Sequence, residues 1–208
     1  MKYNILLAGV GGQGLMLLSA IIGRACVNSG LNVVTSEQHG LAQRSGSISA
    51  HIRIGDVYSP LISYGSADMI ISMEAMESLR NVEYLKPDGY VITGSRILHP
   101  VIETSMLADH KKEKLEYVTL EQVLDHLENA TKKITVLESD DLAKRAGNPR
   151  TENTVLLGAA VAVDEFPVSR EAIMDALRST VPERTIKVNL KAFELGSKQM
   201  KSSRAKTD

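Results

Sequence analysis

Residues 3–14 read Tyr3-Asn4-Ile5-Leu6-Leu7-Ala8-Gly9-Val10-Gly11-Gly12-Gln13-Gly14. The first half is a nearly unbroken apolar run ending in glycine, the pattern of a strand buried on both faces of a parallel sheet. Gly9, Gly11 and Gly14 then fit G-x-G-x-x-G, with a strand before it and a helix after it, the context that such a loop requires. The helix is expected over 12–29, where Leu15, Leu18, Ile22 and Cys26 recur at spacings of three and four and Gly30 closes the run. Residues 31–37 give a second β-rich run. Strand, glycine turn, helix and strand make a βαβ unit, whose crossover is expected to be right-handed.

Outward from that unit, Gln38 to Gly46 is polar and glycine-bearing and reads as a loop. Residues 47–54 alternate strictly, with Ile48, Ala50, Ile52 and Ile54 on one face and Ser47, Ser49, His51 and Arg53 on the other. This strand is expected to turn at Gly55-Asp56 and return through 57–62 as a hairpin. Further strands are expected at 68–73, 90–93, 98–103 and 134–137. Helices are expected at 74–85, at 120–130 behind a Thr119/Gln122 capping box, from Ser139 to a stop at Gly147, over 152–163, over 170–180 behind Ser169, and over 183–203. Pro87-Asp88-Gly89 reads as a turn. The expected architecture is α/β, a Rossmann-like three-layer sandwich whose sheet is mostly parallel with an antiparallel hairpin insertion. A single domain is assigned to 1–196, and 197–208 to a basic, frayed tail.

Composition narrows the function. Of 208 residues, 43% are hydrophobic and 24% charged, and the formal net charge is -1, so no basic field invites nucleic acid or an anionic membrane. Aromatics are only 4%, too few for a platform that stacks single-stranded bases. No apolar run approaches the ~20 residues that span a bilayer, and the first residues do not read as a secretory signal. The one cysteine, Cys26, excludes an internal disulfide and a cysteine-ligated zinc or iron–sulfur site built by this chain alone. A reducing cytoplasm is the expected location. His99, His110 and His126 stand apart with no ligand spacing, so no metal site is expected.

Gly9, Gly11, Gly12, Gln13 and Gly14 are the first candidate binding residues. Glycines let the backbone turn tightly and approach a ligand, and the amides opening the following helix face an anion. A dinucleotide pyrophosphate or the phosphates of coenzyme A would suit the place; packing of helix on strand would explain the same glycines without a ligand. Glu37 ends the second strand, where an acidic side chain could bond a ribose hydroxyl. Glu37, His39, Gln43, Arg44 and Ser45 crowd donors and acceptors into one short stretch, and an arginine beside a serine–glycine turn is a good anion cradle. Arg53, on the polar face of its strand, is a supporting candidate. No general acid, general base or nucleophile is assigned.

Together with the glycine loop, the run Ser36-Glu37-Gln38-His39-Gly40-Leu41-Ala42-Gln43-Arg44-Ser45-Gly46-Ser47, the segment His51-Ile52-Arg53-Ile54-Gly55, and Gly147-Asn148-Pro149-Arg150-Thr151-Glu152-Asn153-Thr154 with Leu157-Gly158-Ala159 resemble the gamma-type domain of the 2-oxoacid:ferredoxin oxidoreductases. More narrowly, the likeness is to the small beta subunits of the indolepyruvate branch. Ser45 stands where that family commonly has a further glycine. The resemblance implies oxidative decarboxylation of an aryl-pyruvate to an acyl-coenzyme A, with electrons passed to ferredoxin. It implies a large alpha subunit that carries thiamine diphosphate, magnesium and the 4Fe-4S clusters. This sequence agrees, since one cysteine cannot hold a cluster and no Gly-Asp-Gly pattern for magnesium and thiamine diphosphate is present. No cofactor is therefore expected on this chain alone, which should be inert by itself. Coenzyme A would meet it at the alpha–beta interface, with Arg44 as the charge contact. An uncovered interface would favour a homodimer of the isolated chain.

Two other readings stay open at this level. One is a free-standing Rossmann oxidoreductase that binds NAD(P) through Gly11 and Gly14, with Glu37 on the adenine ribose. The other is an assembly module in which the glycine loop is structural only.

Overall fold

The computed structural model describes residues 2–39, 46–98 and 118–204. Six strands, β1 (Lys2–Val10), β2 (Val33–His39), β3 (Ser47–Gly55), β4 (Ala67–Ser72), β5 (Leu85–Gly94) and β6 (Ile134–Leu137), form one sheet in the order β2-β3-β1-β4-β5-β6. The α-helices among the described residues are α1 (Leu15–Asn28), α2 (Ala75–Arg80), α3 (Leu120–Glu128), α4 (Ser139–Ala146), α5 (Glu152–Val161), α6 (Arg170–Thr180) and α7 (Ile186–Arg204). β1, β4, β5 and β6 are parallel, and β3 runs antiparallel to both of its neighbours, β1 and β2.

Period-two alternation sorts the sheet into two cores. Ile5 and Leu7 of β1, Met69 and Ile71 of β4, and Ala50, Ile52 and Ile54 of β3 face α1, α4, α5, α6 and α7. Leu6, Ile70 and Val91 face α2 and α3 on the opposite side. The three-layer α/β sandwich expected from the sequence is therefore the fold. Several ends are set by the residues that announced them. Thr119 and Gln122 form a reciprocal capping box on α3, Ser169 accepts from the Ala172 amide to open α6, and Gly147 closes α4 at φ 119°.

The antiparallel element is not where the sequence placed it. The hairpin joins β2 to β3, and residues 57–62 form no strand. Pro60 lies in that segment, and its backbone is occupied by side chains from below. Arg53 Nη1 donates to the carbonyls of Ser59 at 2.8 Å and Leu61 at 3.1 Å, while the Ile62 amide donates to His51 Nδ1 at 3.2 Å. β1–α1–β2 still joins two strands of the same direction, but β3 lies between them.

Smaller departures have local causes. Pro87-Asp88-Gly89 lies within β5, where the ladder to β4 shifts register between Ala67 and Met69 and Asp88 takes φ 60°. The helix expected at 74–85 is shorter, with α2 followed by a 3-10 turn at Val82–Tyr84. Leu98 is not in a strand, and the rest of the expected 98–103 strand falls outside the described residues. The tail assigned to 197–208 starts too early, because α7 continues to Arg204 with Ser197 and Met200 buried. Met200 Sδ accepts from Thr135 Oγ1 at 3.4 Å, which ties this last stretch of helix to β6.

Candidate functional site

The chain crosses from β1 through α1 on one face of the sheet and from β4 through α2 on the other. The C-terminal ends of β1 and β4 therefore lie at a topological switch point, the place where open α/β sheets bind ligands. The glycine loop lies on its β1 side. Gly12 and Gly14 take φ 94° and 80°, and Gly14 caps α1 without any side-chain bond to the first-turn amides. Those amides are left for an external acceptor, at the positive end of the helix.

The loop is braced from within. Gln13 Oε1 accepts from the Val10 amide at 2.8 Å, which fixes the orientation of its carboxamide. The same oxygen would lie 2.6 Å from a Cβ on Gly9, so a larger residue there would displace the Gln13 carboxamide. Gln13 Nε2 is then left as a buried donor with no partner among the described residues. The Gly11 amide donates to Gly46 O at 3.0 Å, and Gly14 O accepts from Asn153 Nδ2 at 3.2 Å.

Two buried carboxylates, Glu74 and Glu77, stand on the β4 side at 1% and 4% exposure. Glu74 caps α2, its Oε2 accepting from the Glu77 amide at 2.9 Å, and its Oε1 accepts from the Leu98 amide at 2.8 Å. Glu77 Oε2 accepts from Ser47 Oγ at 2.5 Å, and Oε1 lies 3.3 Å from Arg80 Nε. Desolvation raises the Glu77 pKa; the Ser47 bond and Arg80 act against that rise. Farther along the same edge, Glu152 bridges Arg96 and Ser139, each at 2.8 Å, and burial raises its pKa too.

The structure gathers only part of the predicted set. Gly9, Gly11, Gly12, Gln13 and Gly14 form the loop. Glu37 lines a different feature, a groove of about 580 Å³ between α1 and β2, with Met16, Ser19, Gly23, Arg24 and Thr35. With β3 interposed, β2 is two strand spacings from β1, about 10 Å, whereas a dinucleotide-binding unit sets those strands side by side. Arg53 pairs with Asn4 at the far end of the β1 ladder from the loop, and it donates to Asn4 Oδ1 at 3.1 Å as well as to the 59–61 segment. The structure thus separates Arg53 from the loop. His39 ends β2 opposite Ile48, and Gln43, Arg44 and Ser45 lie outside the described residues. Cys26 is buried, and desolvation pushes its thiol up to about 11.

Sequence reading missed Glu74, Glu77 and Arg96, and it held Asn153 only as part of the 147–154 segment that carries the resemblance. The pair Glu74/Glu77 had a usable mark: two acids three positions apart, directly after the apolar strand Asp68-Met69-Ile70-Ile71-Ser72-Met73. Nothing local marked the contact of Asn153 with Gly14, because it joins residues far apart in the chain.

The family model described as pyruvate ferredoxin/flavodoxin oxidoreductase matches residues 4–199. The chain belongs to that family. Among curated members, it is 37% identical over 204 residues to indolepyruvate oxidoreductase subunit IorB of Archaeoglobus fulgidus, covering 98% of both chains. It is 40% identical over 202 residues to IorB of Thermococcus kodakarensis, covering 96% of both. A solved structure, the keto/oxoacid ferredoxin oxidoreductase gamma subunit of Geobacter sulfurreducens, superposes with a TM-score of 0.70 at 26% identity, over 96% of this chain and 99% of that one. The mixed sheet with its internal antiparallel strand is thus a pyruvate ferredoxin/flavodoxin oxidoreductase family fold. Among the described residues no helix is long and apolar enough to cross a membrane.

Proposed function

We propose that this chain is the small subunit of an indolepyruvate-type 2-oxoacid:ferredoxin oxidoreductase. In this reading it helps bind the coenzyme A phosphates at its interface with a larger subunit, and ferredoxin receives the electrons through the complex. The observation that carries the assignment is likeness to IorB over nearly the whole of both chains. The residues also fit the proposed division of labour. The single cysteine is buried and held as a thiol, whereas a 4Fe-4S cluster needs about four thiolates. This chain's own residues therefore do not suit a cluster, and the larger partner is assigned the clusters together with magnesium and thiamine diphosphate. Thiamine diphosphate, when bound there, supplies the carbanion-stabilising chemistry that decarboxylation requires.

The contribution of this chain is electrostatic and positional. The amides opening α1 are donors at the ends of β1 and β4, Gln13 Nε2 is an unpartnered buried donor in the same loop among the described residues, and Arg44, within the 40–45 segment that follows β2, would add a cation. Together they would bind phosphate oxygens and help exclude water from the partner's reacting centre. A second reading, in which the loop serves packing alone, is favoured by the Gly11 amide and the Gln13 Oε1 already being paired inside the protein. The interposed β3 counts against the free-standing NAD(P) reading.

Reconstitution tests the assignment. The purified chain should not turn over indolepyruvate with coenzyme A and ferredoxin, and addition of the larger subunit should restore turnover. Turnover by the chain alone would overturn the proposal. Coenzyme A that binds the complex no better than it binds the larger subunit alone would favour the packing reading.

A further inference from the structure

Glu77 has no part in the binding just described, yet its carboxylate is buried at 4% exposure. An apolar side chain of the same size would be easier to bury, so what the carboxylate holds is the informative question. Its Oε2 accepts from Ser47 Oγ at 2.5 Å. Ser47 opens β3 and stands opposite Val10 in the ladder, and the residue before it, Gly46, accepts the Gly11 amide at 3.0 Å. Two hydrogen bonds, joined by the Gly46–Ser47 main chain, therefore connect α2 to the glycine loop. The start of that connection is itself pinned. Glu74 caps the turn of α2 that carries Glu77 and also takes the Leu98 amide, while Arg80 holds the other Glu77 oxygen.

We propose that Glu77 is a positioning residue for the glycine loop. Through Ser47 and Gly46 it holds the Gly11–Gly14 backbone where α1 can present its first amides to a phosphate. The carboxylate does not touch the ligand, and the inference rests on the coenzyme A reading above. Ser47 is the sharper place to cut. Its hydroxyl is the tether, and its removal leaves the β3 ladder and the core in place.

The test uses the assembled enzyme for kinetics and the full-length chain for hydrogen exchange. Ser47→Ala and Glu77→Ala should raise KM for coenzyme A about tenfold, equivalent to about 1.4 kcal/mol. They should leave kcat within about twofold and KM for the 2-oxoacid unchanged. Glu77→Gln, whose amide can still meet Ser47, should stay near wild type. In the isolated chain, exchange of the amides in residues 9–14 should quicken in Ser47→Ala at an unchanged unfolding midpoint. Normal exchange in that variant would overturn the tether, even in an enzyme that makes no use of coenzyme A. Quickened exchange with an unchanged KM for coenzyme A would overturn the positioning role, whereas a wild-type complex indifferent to coenzyme A would count against the functional reading and leave the exchange result to decide the tether.

Discussion

Gly158 of α5 lies directly against the main chain of α7, and a methyl group on it would sit 2.0 Å from the Phe193 carbonyl oxygen. The contact is reciprocal, since a Cβ on Gly196 of α7 would sit 1.9 Å from the Val155 carbonyl oxygen. The two helices meet backbone to backbone, so no rotamer change can make room.

Gly158→Ala should therefore destabilise the chain by about 3 kcal/mol or more, the upper range for overpacking, because the helices must separate. Gly23→Ala is the contrasting case. That residue lies within α1, the nearest atom to a methyl group added there would be 4.0 Å away, and the change should stabilise by about 0.5–1 kcal/mol. Urea unfolding of both variants checks the pair, and equal effects would refute the backbone contact.

Arg44→Ala should raise KM for coenzyme A in the assembled enzyme by about tenfold or more, since a charged hydrogen bond is worth about 1.5–3 kcal/mol. The circular dichroism spectrum should not change. Unaltered kinetics with this cosubstrate would discard Arg44 as a phosphate contact.

Arg53→Ala should behave in the opposite way. Its guanidinium bonds Asn4 and the carbonyls of Ser59 and Leu61, so its loss should lower stability by about 1–3 kcal/mol and leave KM for coenzyme A alone. A kinetic effect without a stability effect would return Arg53 to the binding site.

His51 should give stability an acid-side slope. Burial, reinforced by the Arg53 charge, lowers its pKa below the usual value. The unfolded chain therefore takes up a proton near its ordinary pKa of about 6.5 while the folded chain resists it. The stability from neutral His51 is complete above that pH and is lost as pH falls through the folded value. His51→Gln retains an acceptor for the Ile62 amide and should flatten the difference in unfolding free energy between about pH 7.5 and about pH 5. An equal difference in wild type and variant would contradict this.

The legible parts of the molecule were those with local causes. The strand before Gly9, the Thr119/Gln122 box, the Ser169 cap and the Gly147 stop depend on residues a few positions apart, and each is found where its pattern put it. Pairing was not legible. The alternation in 47–54 identified a strand and its two faces, but nothing local said that this strand would lie against both β1 and β2. By its residue types alone the polar face suits solvent or a binding site. His51 and Arg53 instead hold up the 59–62 backbone, a use visible only after the chain has folded back. The glycine loop was found because its spacing is local. Its braces from Gly46, Asn153 and the Glu77–Ser47 pair reach across the fold, where no periodicity could reveal them.

The central position of β1 also shapes how the chain must be made. Both of its lateral partners, β3 and β4, are synthesised after β2. At about 5–20 residues per second, an interval of roughly 3–12 s separates completion of β1 at Val10 from completion of β4 at Ser72. For the first part of that interval β2 is complete while β3 and β4 are not, and a β1–β2 pairing is one the mature sheet excludes. The mature pairing of this apolar segment therefore waits until residues 47–72 have been synthesised.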